Sequence, residues 1–205
     1  IIANETISQN KIHKDYNGVV PELAARNHVL FIDKILKHIL KKQQLRITDI
    51  GLIAATVGPG LIGGLLVGLS FAKTLSQVNR IPFIGVNHLE GHALTARLTN
   101  KVEYPFLLLL VSGGHSNFYF ISDINDYKFL GGTLDDALGE AFDKVANILG
   151  LDFPGGPQLE LLAMKGDYKK ISLPKPLIND KSLNMSFSGL KTAVLNYNKE
   201  IDKNS

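Results

Sequence analysis

Cysteine is absent from the 205-residue sequence. Disulfides, thiolate metal ligands and a cysteine nucleophile are thereby excluded, and the composition fits an intracellular, cytoplasmic setting. Long apolar runs are absent too. "LIGGLLVGLSFA" and "FLLLLV" are the longest, and both are too short to span a bilayer, so no membrane is expected as a partner. "IIANETISQN" has neither a basic flank nor a long apolar core and does not read as a signal peptide. There is no short-period repeat and no low-complexity tract. Strong charge of either sign is also missing. A formal net charge of +3 is compatible with RNA but far short of a basic binding tail. The chain opens on Ile and not Met, inside what reads as a strand over residues 1–8, which predicts a piece of a longer protein.

What is present is an ordinary globular composition, 45% hydrophobic and 20% charged, long enough for one large or two small domains. Pro21 opens a helix whose apolar stripe (Leu23, Leu30, Phe31, Ile35, Ile39) runs to about residue 43. "IGLIAATV" reads as a buried strand, "GPGLIGG" as its turn, and a Gly-rich helix follows to about Asn79. "PFIGVN" is a second buried strand with a histidine-bearing helix directly after it. Strand–helix alternation predicts a largely parallel α/β sheet in this half. Past Tyr104 the pattern restarts. "FLLLLVS" and "SNFYFIS" form a hairpin about "GGH", "YKFLGG" is a third strand, and a helix is predicted from about Leu134 to Leu149. "GLDFPGGP" is expected to be a loop and "SGLKTAVLNYNKEI" a last helix. The boundary is expected near residue 103, giving domains 1–103 and 104–205.

Several stretches could carry chemistry. In "NHLEGHALTARL", His88 and His92 stand at i and i+4, one helix face, which suits either two ligands of one metal ion or a plain amphipathic helix. "GPGLIG" formally matches a dinucleotide fingerprint, but the next strand ends at Asn87-His88 without the carboxylate a ribose needs. A tight turn, with Gly63, Gly64 and Gly68 packing helix on sheet, is the better reading. Ser112-Gly113-Gly114-His115 lies between two strands, either an ordinary hairpin turn or a backbone surface that can meet phosphate. In "LDDALGEAFDKVANILG" an apolar face (Leu138, Phe142, Val145, Leu149) opposes a polar stripe of Asp136, Glu140, Asp143 and Asn147. The stripe is either solvated or offers a carboxylate to ribose hydroxyls, with "PGGP" as a second backbone surface near a nucleotide. In "SFSGLKTAV", Ser188 is a candidate N-cap. Lys191 reads better as a solvated lysine than as a phosphate ligand.

Taken in order, "YNGVVPELAARNHV", "GPGLIGGLLVG", "NHLEGH", "LLVSGGHS", "DDALGEAFDKVANILGL", "PGGP" and "SFSGLKT" resemble the TsaD family, also called Gcp or YgjD. The resemblance implies the actin/Hsp70/sugar-kinase (ASKHA) fold of two α/β lobes, here with the first nearly complete and the second truncated. It implies a tRNA N6-adenosine threonylcarbamoyltransferase that uses threonylcarbamoyl-AMP to modify the adenosine 3′ of the anticodon in tRNAs reading ANN codons. TsaB- and TsaE-type proteins would be its partners. The family's metal ligands fall on His88 and His92, holding one divalent ion, with Fe2+ expected ahead of Zn2+. Its substrate contacts fall on Leu110, Val111, Ser112, Gly113, Gly114, Asp143 and Gly156. His115, beside the loop, is the candidate for proton transfer or positioning.

Two family features are missing from the sequence: an initial Ser/Cys/Asp-containing loop, and a later Gly-rich segment with an Asp completing the metal site. Residues 1–205 alone are therefore expected to retain metal weakly, to self-associate through an unpaired sheet edge and to give no measurable transfer. A metallopeptidase is the first alternative. It is disfavoured because Glu90 follows His88 by two residues, roughly 200° around the helix, where the zinc-protease signature needs the adjacent position. An inactive nucleotide-binding scaffold is the second.

Overall fold

The computed structural model describes residues 1–16 and 18–203, so Asn17 in the first quoted motif and the last two residues of the expected second domain lie outside the described residues. The fold is mixed α/β and divides into two compact units, Ile1–Thr95 and Ala96–Ser205. The division runs through the histidine-bearing helix, whereas the sequence placed it near residue 103.

In the first unit, a short helix α1 (Asn10–His13) precedes the long α2 (Pro21–Lys42). Strand β1 (Ile53–Gly58), helix α3 (Ile62–Asn79) and strand β2 (Phe83–Asn87) form one βαβ unit, and helix α4 (His88–Thr99) starts where β2 stops. β1 and β2 pair in parallel, Ile53 opposite Phe83 and Thr56 opposite Val86, as the strand–helix alternation predicts. The expected strand over residues 1–8 does not form. Hydrogen-bonding groups of a strand need a neighbour, and this segment is held instead by helix α2. Glu5 accepts a hydrogen bond from Lys42 Nζ at 2.6 Å, and residues 5–9 share a shallow pocket with Phe31, Ile32 and Ile35 of that helix. The glycines of α3 also differ from expectation. A Cβ on Gly63 would sit 3.2 Å from the Ala25 Cβ, and one on Gly64 would sit 3.6 Å from the His28 ring. Gly63 lets helix α3 approach helix α2, not the sheet, whereas a Cβ on Gly64 would make only ordinary van der Waals contact and Gly68 has no neighbour within 4 Å of such a Cβ.

The second unit holds an antiparallel meander, β3 (Phe106–Val111), β4 (Ser116–Asp123) and β5 (Asp126–Gly132), in the order β3-β4-β5. Leu108 pairs with Tyr119 and Val111 with Ser116, so the four residues Ser112–His115 close the first hairpin. Ile121 in the central strand is fully buried and Leu110 nearly so. Helices α5 (Leu138–Ile148), α6 (Gly155–Ala163) and α7 (Ser188–Lys203) follow.

Two boundaries depart from the sequence reading. Helix α5 begins at Leu138 and not near Leu134, because Thr133 and Leu134 are taken up in backbone pairing: Thr133 forms a bridge with Met185, and the Leu134 N–H donates to the Met185 carbonyl at 2.9 Å. The "PGGP" stretch is not a loop. Gly155 and Gly156 are the first residues of α6, with Pro157 in its first turn, where no backbone N–H is required. The predicted apolar face of α5 is real but incompletely covered. Leu138, Phe142, Val145 and Leu149 line an open apolar cavity of about 710 Å³ against α6 and α7, while the buried residues of α5 are Ala141 and Ala146.

One close contact, Gly155 against Ala146, carries this packing. A Cβ on Gly155 would collide with the Ala146 Cβ, so Gly155→Ala should separate α6 from α5 and cost about 1–3 kcal/mol. Gly113→Ala, where nothing lies within 4 Å, should change stability by less than about 0.5 kcal/mol. Denaturant titration of the two variants compares them directly, and equal midpoints would contradict the packing role of Gly155.

Candidate functional site

In the first unit, α4 is started by a side chain. Asn87 Oδ1 accepts the N–H groups of Leu89 at 2.9 Å and Glu90 at 3.3 Å, the geometry of an N-cap. This cap places His88 in the first turn and His92 one turn on. Their ring centroids lie 4.5 Å apart with the planes at 75°. His88 is partly buried and His92 is exposed, so neither ring is committed to a hydrophobic core. Two adjacent imidazoles suit a borderline divalent ion such as Fe2+ or Zn2+, and this donor set fits as a partial ligand set. Among the described residues no group of three His, Cys, Asp or Glu side chains could hold a metal, so Glu90 does not complete a triad with the two histidines.

In the second unit, the sequence-predicted residues converge on α5. Ser112 closes its own turn: its N–H donates to the His115 carbonyl at 2.8 Å, and its Oγ accepts the N–H groups of His115 and Gly114 at 3.1 and 3.3 Å. Gly113 and Gly114 are left exposed, with open space where side chains would be. Behind this turn stands Gly139, in the first turn of α5. Its N–H donates to the Ser112 carbonyl at 3.3 Å, and a Cβ there would lie 2.8 Å from that oxygen and 2.9 Å from Gly113 Cα. Only glycine permits that approach. The helix start is fixed from the strand side by Ser116, fully buried, whose Oγ accepts the Leu138 N–H at 2.9 Å.

One turn beyond Gly139, Asp143 Oδ1 accepts the Gly155 N–H at 2.9 Å. Residues 139 and 143 share a helix face about 6 Å apart. The Ser-Gly-Gly turn, the Asp143 carboxylate and the Gly155-Gly156 backbone therefore lie along one strip of α5. Val111, just before the turn, is exposed, whereas the Leu110 side chain is buried. His115 is partly buried and stands in the turn itself.

The rest of the polar stripe is solvated only in part: Glu140 and Asn147 are exposed, whereas Asp136 is half-buried. Lys144 Nζ lies 2.7 Å from both Asp136 Oδ1 and Glu140 Oε1, and hydrogen bonding to Asp136, then Glu140, raises its pKa. Lys191 lies 3.7 Å from Asp136 Oδ2, so it is half-buried beside an acid while still partly solvated. Ser188 is not the N-cap expected from the sequence: it is the first residue of α7 and its hydroxyl donates to Asp135, which caps the helix in its place. Asp135 takes the N–H groups of Phe187 and Ser188 at 2.8 and 3.2 Å and the hydroxyls of Ser186 and Ser188 at 2.5 and 2.8 Å. Partial desolvation pushes the Asp135 carboxyl up, but these four donors together outweigh it and hold it well below the usual carboxylate range.

Sequence reading missed Asn87, Ser116, Asp135 and Gly139. Asn87 carried a readable signal, since Asn followed three residues later by Glu is a helix-start signature. Asp135, Ser116 and Gly139 act across 22 to 53 residues of chain, and no local pattern announces such partners.

A family model described as TsaD: tRNA N6-adenosine threonylcarbamoyltransferase matches residues 1–203. Proteins named tRNA N6-adenosine threonylcarbamoyltransferase from Rickettsia rickettsii (strain Sheila Smith) and Rickettsia bellii (strain OSU 85-389) are 58% identical to the chain over 194 residues. The protein of that name from Rickettsia canadensis (strain McKiel) is 57% identical over the same length. Each alignment takes in 95% of this chain but only 56–57% of the relative, so the chain spans little more than half the length of these proteins. On the match over residues 1–203, which includes the histidine pair, the Ser-Gly-Gly turn and Asp143, the chain belongs to the TsaD family.

Proposed function

We propose that this chain forms part of a tRNA N6-adenosine threonylcarbamoyltransferase and that its second unit holds the threonylcarbamoyl-AMP. The observation that carries the reading is the strip on α5, where exposed Gly113 and Gly114, Asp143 and the Gly155-Gly156 backbone share one helix face. Exposed glycine backbone can approach phosphate oxygens without steric obstruction. A carboxylate one turn away can accept hydrogen bonds from two ribose hydroxyls. The cavity beside α7 is lined mainly by aliphatic and aromatic side chains, with Asp167 its one carboxylate, and is a poorer site for a nucleotide.

In this reading, the N6 amine of the tRNA adenosine attacks the carbamoyl carbon. The new N–C bond forms as the C–O bond to the phosphate breaks, AMP leaves, and one proton departs from N6. The turn at Gly113 and Gly114 holds the phosphate that becomes the leaving group; the Gly114 N–H is already given to Ser112 Oγ, so the Gly113 N–H is the amide offered to the charge that grows there. Asp143 and Gly156 fix the ribose, which orients the carbonyl. His115, in the turn, is the candidate for accepting or guiding the N6 proton. His88 and His92 supply two imidazole ligands of a divalent ion, Fe2+ or Zn2+, whose chemistry when bound is Lewis-acid organisation of oxygen ligands. A two-lobe ASKHA arrangement, TsaB- and TsaE-type partners, tRNAs reading ANN codons and a cytoplasmic location complete the proposal.

Transfer of the threonylcarbamoyl group to unmodified tRNA, with the adenylate supplied, tests the reading on the full gene product. Asp143→Ala should weaken AMP binding about tenfold or more, measured by calorimetry at a temperature where circular dichroism shows an intact fold. An unchanged affinity would remove Asp143 from the site. Replacing either His88 or His92 with Ala should lower the affinity for added Zn2+ about tenfold or more without changing AMP affinity. Metal retention equal to the parent in both single variants would dismiss the histidine pair as ligands.

A further inference from the structure

Asp135 precedes α5, outside the strip assigned to the adenylate, yet it gathers four donors. Its two oxygens offer about four lone-pair sites, and Ser186 Oγ, Phe187 N, Ser188 N and Ser188 Oγ fill them. A carboxylate so engaged has no capacity left for a ligand. It also occupies the N-terminal turn of α7, where an anion could otherwise sit.

The surrounding bonds extend this clamp toward the strip. Met185 N–H donates to the Gly132 carbonyl at 3.0 Å and Leu134 N–H to the Met185 carbonyl at 2.9 Å, while Gly132 N–H reaches Asn184 Oδ1 at 3.3 Å. A Cβ on Gly131 would overlap the backbone of Leu183, so residues 183–185 lie directly against the end of β5. On the other side, Thr133 N–H donates to the Ser116 carbonyl at 2.8 Å, and the Ser116 hydroxyl receives the first N–H of α5. From α7 to the Ser-Gly-Gly turn the links are therefore Asp135, Thr133, Ser116 and Gly139, with no flexible side-chain stem longer than aspartate among them.

We propose that Asp135 is a positioning residue for the adenylate site. By joining the start of α7 to the segment 132–137, it fixes the start of α5 and so the spacing between the Ser-Gly-Gly turn and Asp143. This rests on the reading of the α5 strip as the adenylate site.

The test uses the full gene product with AMP as probe. Asn at position 135 keeps the shape but offers one acceptor oxygen and turns two donors toward hydroxyls and N–H groups. Asp135→Asn should raise the AMP dissociation constant about tenfold while near-UV circular dichroism is retained. Backbone amide exchange should accelerate at 112–115 and 139–143 as well as at 186–190. Ser186→Ala, which removes one of four donors, should move both readouts the same way by less, and it decides the matter if Asp135→Asn does not fold. Acceleration confined to 186–190 with parental AMP affinity would make Asp135 a local helix cap and overturn the proposal. Asp143→Ala separates the two levels. Weakened binding there with unaltered binding in the folded Asp135 variant defeats only the positioning role, whereas unaltered binding in Asp143→Ala defeats the site and this inference together.

Discussion

The hydrogen bond from the Leu138 N–H to the buried hydroxyl of Ser116 determines where α5 begins, and much of the second unit follows from that starting point. A helix that started four residues earlier, as hydrophobic periodicity suggests, would turn Asp135 and Asp136 into helical residues and deprive α7 of its cap. Starting at Leu138 instead leaves two consecutive acids in the bend before the helix, with separate tasks. Asp135 serves the N-terminus of α7, and Asp136 collects Lys144 and Lys191. The same register brings Gly139 against the Ser-Gly-Gly turn and Asp143 against Gly155.

The two carboxylates that organise the second unit's helices, Asp135 and Asp143, work on backbone and hydroxyl donors. Hydrogen bonds to a charged acceptor contribute about 1.5–3 kcal/mol each where they are protected, whereas exposed ion pairs such as Arg26–Glu22 contribute little. Asp143 shows how one group can serve two levels of organisation: capping α6 aligns Gly156 beside it, and the same alignment brings its carboxylate near exposed glycine backbone.

The elements legible in the sequence were those written in local pattern. The apolar stripe of α2, the parallel strands β1 and β2 and the hairpin about Ser112–His115 each depend on residues close together in the chain, and each formed where expected, although no residue of β1 or β2 is fully buried. The departures share a cause in long-range competition. Residues 1–8 have strand-like alternation, but helix α2 holds them through Lys42. Residues 134–137 have helical periodicity, but Met185 and Ser186 claim their polar groups first. "PGGP" has loop composition, yet a carboxylate twelve residues earlier receives its first N–H and starts a helix. For the candidate site, the residues were legible as motifs while their common axis was not, because Gly139 looks unremarkable until its neighbour across the turn is known.

The approach of Gly139 to Ser112 and Gly113 is backbone against backbone. Rotamer changes cannot adjust such a contact, since its dimensions come from covalent geometry and peptide planarity. Mechanically it behaves as a rigid shim: any tilt of α5 passes undiminished to the Ser-Gly-Gly turn, with no compliant side chain between them to absorb it. A site assembled on this shim has tight tolerance and little capacity to adapt its shape to a poorly fitting occupant.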